Sequence, residues 1–280
     1  MEIRVWGCRG SVAAPGAETV KYGGNTSCVE VTLASGHAIV LDAGTGMRPL
    51  GVSMRNAPPK ELHILLSHLH LDHLQGLGFF RPLFMPELDI HIWGPASPVE
   101  SLADRIAMYL SPPLFPVHLN DVPAQLTFHD APEEPVAIGS ATIRAAKVVH
   151  QGPTVGYRIE EDGHSFVYLP DHEPSLGGPL RALDVEWMSG HDIAQDADVL
   201  LHDAQYGDDE YPNHVGWGHS SLADAIEFAD KSGVGRLVLF HHDPYHTDNE
   251  LEALLALVHT QHSTMNDRVC LAYEGMTITL

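Results

Sequence analysis

The sequence is short of positive charge. Its 15 lysines and arginines stand against 37 aspartates and glutamates, a formal net charge of −22 with histidine neutral. A chain-wide basic field for gripping polyanions is therefore missing. That argues against general nucleic-acid binding, but not against a small phosphate ester held by a metal. Cysteine is scarce too. Cys8, Cys28 and Cys270 are odd in number and far apart, which suits reduced thiols in a cytoplasmic protein and not a disulfide framework. No apolar run approaches the roughly 18 residues of a membrane span. The opening MEIRVWGCRGS has no basic region ahead of an apolar stretch, so neither a membrane location nor a secretory signal is expected. Repeats and low-complexity tracts are lacking, and 280 residues suit one large domain over 1–280. What is abundant is histidine, with 20 residues. An acidic, histidine-rich chain points to cations held inside the protein.

Short runs rich in Val, Ile, Leu or aromatics, bounded by Gly, Pro, Asp or Ser, predict strands. They cover 2–7, 27–33, 37–44, 61–67, 88–94, 141–149, 154–161, 164–170, 198–203, 236–242 and 269–280. Helical patterns lie between them. The segment 97–110 opens with Ser-Pro and Glu; 220–233 runs from Ser to Gly; 247–263 opens with Thr-Asp-Asn-Glu and carries an apolar stripe. Strands and helices mixed in this way predict a layered α/β protein with two sheets inside and helices outside. The proline-rich 111–135 reads as an irregular flap over one rim, able to order on substrate binding.

The chemistry concentrates in SHLHLDHLQG (67–76), which places His68, His70, Asp72 and His73 directly after the apolar run ELHILL. A strand end leading into a loop lets several side chains converge. Neutral imidazole and carboxylate suit zinc, manganese and iron. Two histidines two residues apart can grip one metal, and the adjacent Asp-His pair can turn towards a second. Three distant residues end apolar runs in the same way: His150 after IRAAKVV, Asp171 after HSFVYLP and His241 after RLVLF.

H-x-H-x-D-H followed by separate His, Asp and His resembles the metallo-β-lactamase superfamily, and the resemblance spans essentially the whole chain, from GCRGS to LFHHDP. It implies a four-layer αβ/βα sandwich, two mixed sheets flanked by helices, with the site at the sheet edges. It implies two divalent ions per chain, zinc first, with manganese or iron as alternatives. His68, His70 and His150 would hold the first ion; Asp72, His73 and His241 the second; Asp171 would bridge them. His242 is the fallback for His241. Asp42, in LDAGTG, would accept an N–H from a ligating imidazole and fix its tautomer.

Other residues point to a branch. LLHDAQY (200–206) and GWGHSS (216–221) resemble the paired His-Glu-Ala-Thr and His-Ser-Thr motifs of the ribonuclease Z branch. In that branch a carboxylate supports a histidine that protonates the leaving oxygen. Asp203 and His219 would hold those posts, with Asp203 one methylene shorter than the family's glutamate, and Asp72 joins them in the expected catalytic set. Many true β-lactamases carry Cys where this chain has Asp171. The interval from His150 to Asp171 has room for a hairpin but not for the long exosite arm of family ribonuclease Z enzymes. The implied function is hydrolysis of small phosphodiesters or cyclic nucleotides by a hydroxide held on two metals, which can clamp both oxygens of the displacement. The alternatives are lactone, thioester or β-lactam hydrolysis, or RNA processing. A homodimer is implied by the resemblance alone. GCRGS (7–11), Asn25, Thr26 and Ser27 in YGGNTSC, and Asp243 and His246 in HHDPYH either line the site or serve as turns and caps.

Overall fold

The computed structural model describes residues 1–56, 58–59, 61–261 and 267–280. In chain order its strands are β1 (Glu2–Gly7), β2 (Cys28–Thr32), β3 (Ala38–Leu41), β4 (Glu61–Leu65), β5 (Asp89–Gly94), β6 (Gln125–Asp130), β7 (Val136–Ile138), β8 (Ala141–Lys147), β9 (Val155–Glu161), β10 (His164–Leu169), β11 (Val199–Asp203), β12 (Arg236–Phe240), β13 (Val269–Leu271) and β14 (Thr277–Thr279). The helices are α1 (Met47–Ser53), α2 (Leu102–Ala107), α3 (His191–Ala194), α4 (Leu222–Lys231) and α5 (Asp248–Gln261).

The strands form two seven-stranded mixed sheets, ordered β14-β1-β2-β3-β4-β5-β6 and β13-β12-β11-β10-β9-β8-β7. Each sheet is parallel in one half, β3 to β6 in the first and β10 to β13 in the second. Parallel strands covered on both faces need apolar side chains on both. Accordingly AIVL of β3 and LVLF of β12 are buried at every position. Ile3, Val31, Leu41, Tyr157, Phe166, Tyr168 and Phe240 belong to the core between the sheets. Leu50, Ile64 and Phe80 belong to the layer outside the first sheet, and Leu200, Phe228 and Leu251 to the layer outside the second. Each such large buried side chain contributes roughly 1.5–3 kcal/mol.

Three expectations from the sequence are corrected. The proline-rich 111–135 is not irregular throughout: Gln125–Asp130 is β6, paired in parallel with β5. The stretches on either side of it, 111–124 and 131–135, lack strand structure, and the prolines lie there. The run 269–280 is two strands, one in each sheet, because Gly275 (φ +89°) turns the chain between them. The helix in 97–110 begins at Leu102, with Ser101 as its cap accepting from the Asp104 N–H, and not at Ser97. The sequence reading also overlooked α1. The end of the expected helix 247–263 lies partly outside the described residues.

What positions the site is the shared polarity of the parallel strands. Asp42 follows β3, His68 follows β4 closely, Asp171 follows β10, Asp203 ends β11 and His241 follows β12. All five strands deliver these residues to one rim, the place where open parallel sheets collect ligands. β9 and β10 occupy the interval between His150 and Asp171 as an antiparallel pair.

Candidate metal centre

Four imidazoles of the rim are held from behind, and this decides which nitrogen is bare. His73 donates Nδ1–H to Asp42 Oδ2 at 2.7 Å. His241 donates Nδ1–H to Gln205 Oε1 at 3.0 Å. His150 donates Nδ1–H to the Gly218 carbonyl at 2.7 Å. His68 Nδ1 lies 3.0 Å from Ser67 Oγ, whose own proton goes to Asp42. The opposite nitrogens of these four rings are left as lone pairs.

Those lone pairs fall into two groups shared out by one carboxylate. His68, His70, His150 and Asp171 form the first, and Asp72, His73 and His241 the second. Asp171 Oδ2 lies 3.7 Å from His68 Nε2 and 3.6 Å from His150 Nε2. Its other oxygen, Oδ1, lies 3.0 Å from His73 Nε2 and 3.3 Å from His241 Nε2. Asp72 Oδ2 lies 3.2 Å from each of the same two nitrogens. His73 Nε2 and His241 Nε2 are 3.3 Å apart. Bare acceptors converging at such distances repel one another unless cations lie among them. Moreover, His68 Nε2 and Asp171 Oδ1 are buried with no hydrogen-bond partner among the described residues. A buried polar atom without a partner is costly. The residues therefore fit two divalent cations, and the mixed His/carboxylate set suits zinc, manganese or iron.

The electrostatics agree with this fit. Burial opposes a charge on His73, yet Asp171, Asp72 and Asp42 push its pKa well above the usual imidazole value. The carboxylates thus demand positive charge at the spot where a cation would sit. Burial works against ionised Asp171, and the surrounding His241, His73 and His68 outweigh it and hold its pKa well below the carboxylate range.

Asp42 is the keystone behind the ligands. It is fully buried and accepts from Ser67 N (2.7 Å), Ser67 Oγ (2.8 Å), Tyr168 OH (2.8 Å) and His73. Asp42 and His241 both have left-handed backbones, with φ near +59°. That conformation costs a non-glycine residue about 1–3 kcal/mol, and here it turns each side chain sharply off its strand end into the rim. The loop GCRGS supports Asp72, because the Ser11 N–H donates to Asp72 Oδ2 at 2.8 Å. Gly10 cannot carry a side chain, since a Cβ there would lie 2.5 Å from His241 Nδ1.

Beside the ligands stands a second pair. His219 donates Nδ1–H to Asp203 Oδ2 at 2.7 Å, so the shorter aspartate still reaches. The same nitrogen is 3.8 Å from Asp171 Oδ2, and the His219 ring stacks on His241 with centroids 5.0 Å apart. Burial lowers the His219 pKa, but the charge and hydrogen bond of Asp203 prevail and push it up to about 9. Asp203 Oδ1 accepts from the Gln205 and Ser220 N–H groups, which fixes the carboxylate.

The other residues singled out from the sequence serve the frame. His242 turns away and donates Nε2–H to the Ala272 carbonyl at 2.9 Å, so it does not join the ligands. Asn25 pairs with Glu274, while Thr26 and Thr45 exchange hydrogen bonds. Ser27 is buried, and Asp243 Oδ2 accepts from Gln205 Nε2 at 3.2 Å. His246 contacts Glu210. The sequence reading missed Gln205, which orients His241, and Glu173. The buried Glu173 carboxylate accepts from the Gly216 and Gly218 N–H groups and so sets the loop that faces His150. HDAQY contained the signal for Gln205, a polar residue two positions beyond the strand-terminal Asp203. All three cysteines are free thiols. No helix among the described residues is long and apolar enough to cross a membrane.

Residues 37–242 match the family model described as a beta-lactamase superfamily domain. An uncharacterized protein of Mycobacterium tuberculosis is 31% identical over 258 residues, covering 88% of this chain and 82% of that protein. A ribonuclease Z of Mycobacterium sp. (strain KMS) is 27% identical over 239 residues, covering 75% of this chain and 76% of that protein. Among solved structures, a diphosphatase from the PhnP family is similar in fold, with a TM-score of 0.70 at 18% identity over 100% of this chain and 97% of that one.

Proposed function

Because the chain belongs to the beta-lactamase superfamily, in its ribonuclease Z-like branch, we propose that it is a binuclear metal-dependent phosphodiesterase acting on small phosphodiesters or cyclic nucleotides. The observation that carries this reading is the Asp203–His219 pair, joined at 2.7 Å and set beside Asp171. A thiolate leaving a thioester has little need of a proton donor. A sugar alkoxide leaving phosphorus is a poor leaving group and needs one.

When bound, two divalent cations supply Lewis acidity and a nucleophile active at neutral pH. The residues do the rest. His68, His70 and His150 with Asp171 would hold one ion, and Asp72, His73 and His241 with Asp171 the other. Asp42, Gln205 and the Gly218 carbonyl keep the ligating nitrogens bare and aimed. His219 holds a proton on the ring nitrogen that Asp203 does not engage, and passes it to the oxygen departing from phosphorus. Asp203 stabilises the imidazolium before transfer and keeps the ring in register afterwards. The similarity to a ribonuclease Z and to a PhnP-family diphosphatase supports phosphorus chemistry. The short β9–β10 connection and the charge of −22 favour a small substrate over tRNA.

The test is turnover of bis-p-nitrophenyl phosphate and of 2′,3′- and 3′,5′-cyclic nucleotides, beside nitrocefin and a lactone panel, with metal content measured on the same samples. Phosphodiester turnover with about two metals per chain, both lost in Asp171→Ala, is the expected result. A metal-replete protein that hydrolyses lactones or nitrocefin and no phosphodiester would overturn it.

A further inference from the structure

A cleft of about 520 Å³ opens directly beside His68 and His70. One wall is the metal-ligand loop with Leu71, another the end of α2 with Arg105 and Met108, and the rim is closed by Leu114 and by Pro153. Leu71, Met108 and Leu114 are 61%, 62% and 71% exposed. Large apolar side chains left open together in a concavity mark a binding site. Tyr109 is fixed there by its hydroxyl, which donates to the Gln75 carbonyl at 2.6 Å. The walls are not purely apolar. Ser97, Arg105 and Gln151 also line the cleft. The Arg105 guanidinium is tied on one edge only, Nη2 to the Pro95 carbonyl at 2.6 Å, and its Nε–H has no acceptor.

We infer that this cleft is the nucleobase subsite of the enzyme: it seats the aromatic base of a nucleotide whose phosphodiester lies at the rim. The inference rests on the phosphodiesterase reading and names its substrate class. A flat base offers two apolar faces, which suit Leu71, Met108, Leu114 and Pro153. Its edge offers acceptors and donors, which suit Arg105, Ser97 and Gln151. An alkyl chain would cover the apolar wall and leave the Arg105 Nε–H without an acceptor. A guanidinium plane also stacks on bases, which a lysine in the same place does not do. The first metal group borders the cleft through His68 and His70, so a base seated here places its sugar phosphate against the ligands. Leu114 lies in the irregular proline-rich stretch before β6, which thus contributes a wall.

The test compares 3′,5′-cyclic AMP with methyl β-D-ribofuranoside 3′,5′-cyclic phosphate, the same cyclic diester with methoxyl in place of the base. In the metal-replete wild type, kcat/KM favours the nucleotide by about tenfold or more. That preference collapses in Arg105→Ala and in the double variant Met108→Ala/Leu114→Ala, with metal content retained. Because Met108 and Leu114 are exposed, the double variant leaves the core untouched. Calorimetry adds a second readout: adenosine 5′-monophosphate binds tighter than ribose 5-phosphate to wild type, and the difference shrinks in both variants. Equal kcat/KM for the two diesters, or a preference that survives both variants, overturns the inference and leaves the phosphodiesterase reading standing. So does turnover of bis-p-nitrophenyl phosphate without turnover of either cyclic diester. No turnover of any phosphodiester overturns the underlying reading itself.

Discussion

The two oxygens of Asp171 are divided. Oδ1 faces His73 Nε2 at 3.0 Å, and Oδ2 faces His150 Nε2 at 3.6 Å. One buried carboxylate therefore belongs to both ligand groups. Asp171→Ala should then lose more than one ligand's worth of affinity. Metal analysis should find both ions depleted, and phosphodiester turnover should fall to background. Retention of one ion at full occupancy would show the groups to be independent.

Removal of Asp42 should act through His73, which it holds by Nδ1 at 2.7 Å. In Asp42→Ala the His73 ring loses its fixed tautomer, and Ser67 and Tyr168 lose their acceptor. Metal affinity should drop by about 10–100-fold. Competition with a chromogenic chelator measures this directly, and an unchanged affinity would deny Asp42 its positioning role.

His219 should matter most where the leaving group is worst. His219→Ala should lower kcat on a cyclic nucleotide by about 10²–10⁴-fold. The loss should be much smaller on bis-p-nitrophenyl phosphate, whose phenolate departs without a proton. Asp203→Asn should follow the same pattern with both metals retained. An equal loss on both substrates would indicate a binding role and not proton donation.

The pH profile carries a sign. The His219 pKa is raised from 6.5 to about 9, with Asp203, Asp171 and Asp72 overcoming burial. The proton is thus present through neutral pH and lost as pH rises through the folded value. The corresponding stability is complete below the unfolded value near 6.5 and disappears on the alkaline side. Activity on cyclic nucleotides should therefore show an alkaline limb. Cations at the rim would offset the pull of Asp171 and Asp72, so in the loaded enzyme that limb should lie at lower pH than these carboxylates alone would set. Asp203→Asn should move it to lower pH, and a limb that stays in place would exclude His219 as the titrating group.

Gly218 has φ +89°, and a Cβ there would sit 2.4 Å from His150 Nδ1. Gly218→Ala should strain the loop and push His150 out of the first ligand group. The expected outcome is a loss of roughly 1–3 kcal/mol in stability and weakened metal binding, read by chemical denaturation and metal titration. Full metal content at wild-type stability would show the loop to be more compliant than its contacts imply.

Much of this molecule could be read from its residues in order. The strand-ending residues His68, Asp171, Asp203 and His241 announce themselves because a polar, ligand-type side chain directly after a buried apolar run has one destination, the rim of a sheet. The H-x-H-x-D-H spacing is local and so survives in one dimension. β6 did not stand out, because prolines upstream masked a short strand whose partner, β5, lies far away in sequence. The split of 269–280 was equally hidden, since nothing within that apolar run says that its halves join different sheets.

By itself, the sequence determined the candidate ligand types, their spacing and the strand ends that carry them. These depend on side-chain chemistry and short-range periodicity. Only the tertiary structure decided which oxygen of Asp171 faces which histidine, that Gln205 and the Gly218 carbonyl orient their rings, and that Arg105, Met108 and Leu114 meet beside His70. Those relations join residues distant in the chain, and they exist only once two sheets pack and bring their parallel strand ends to one rim.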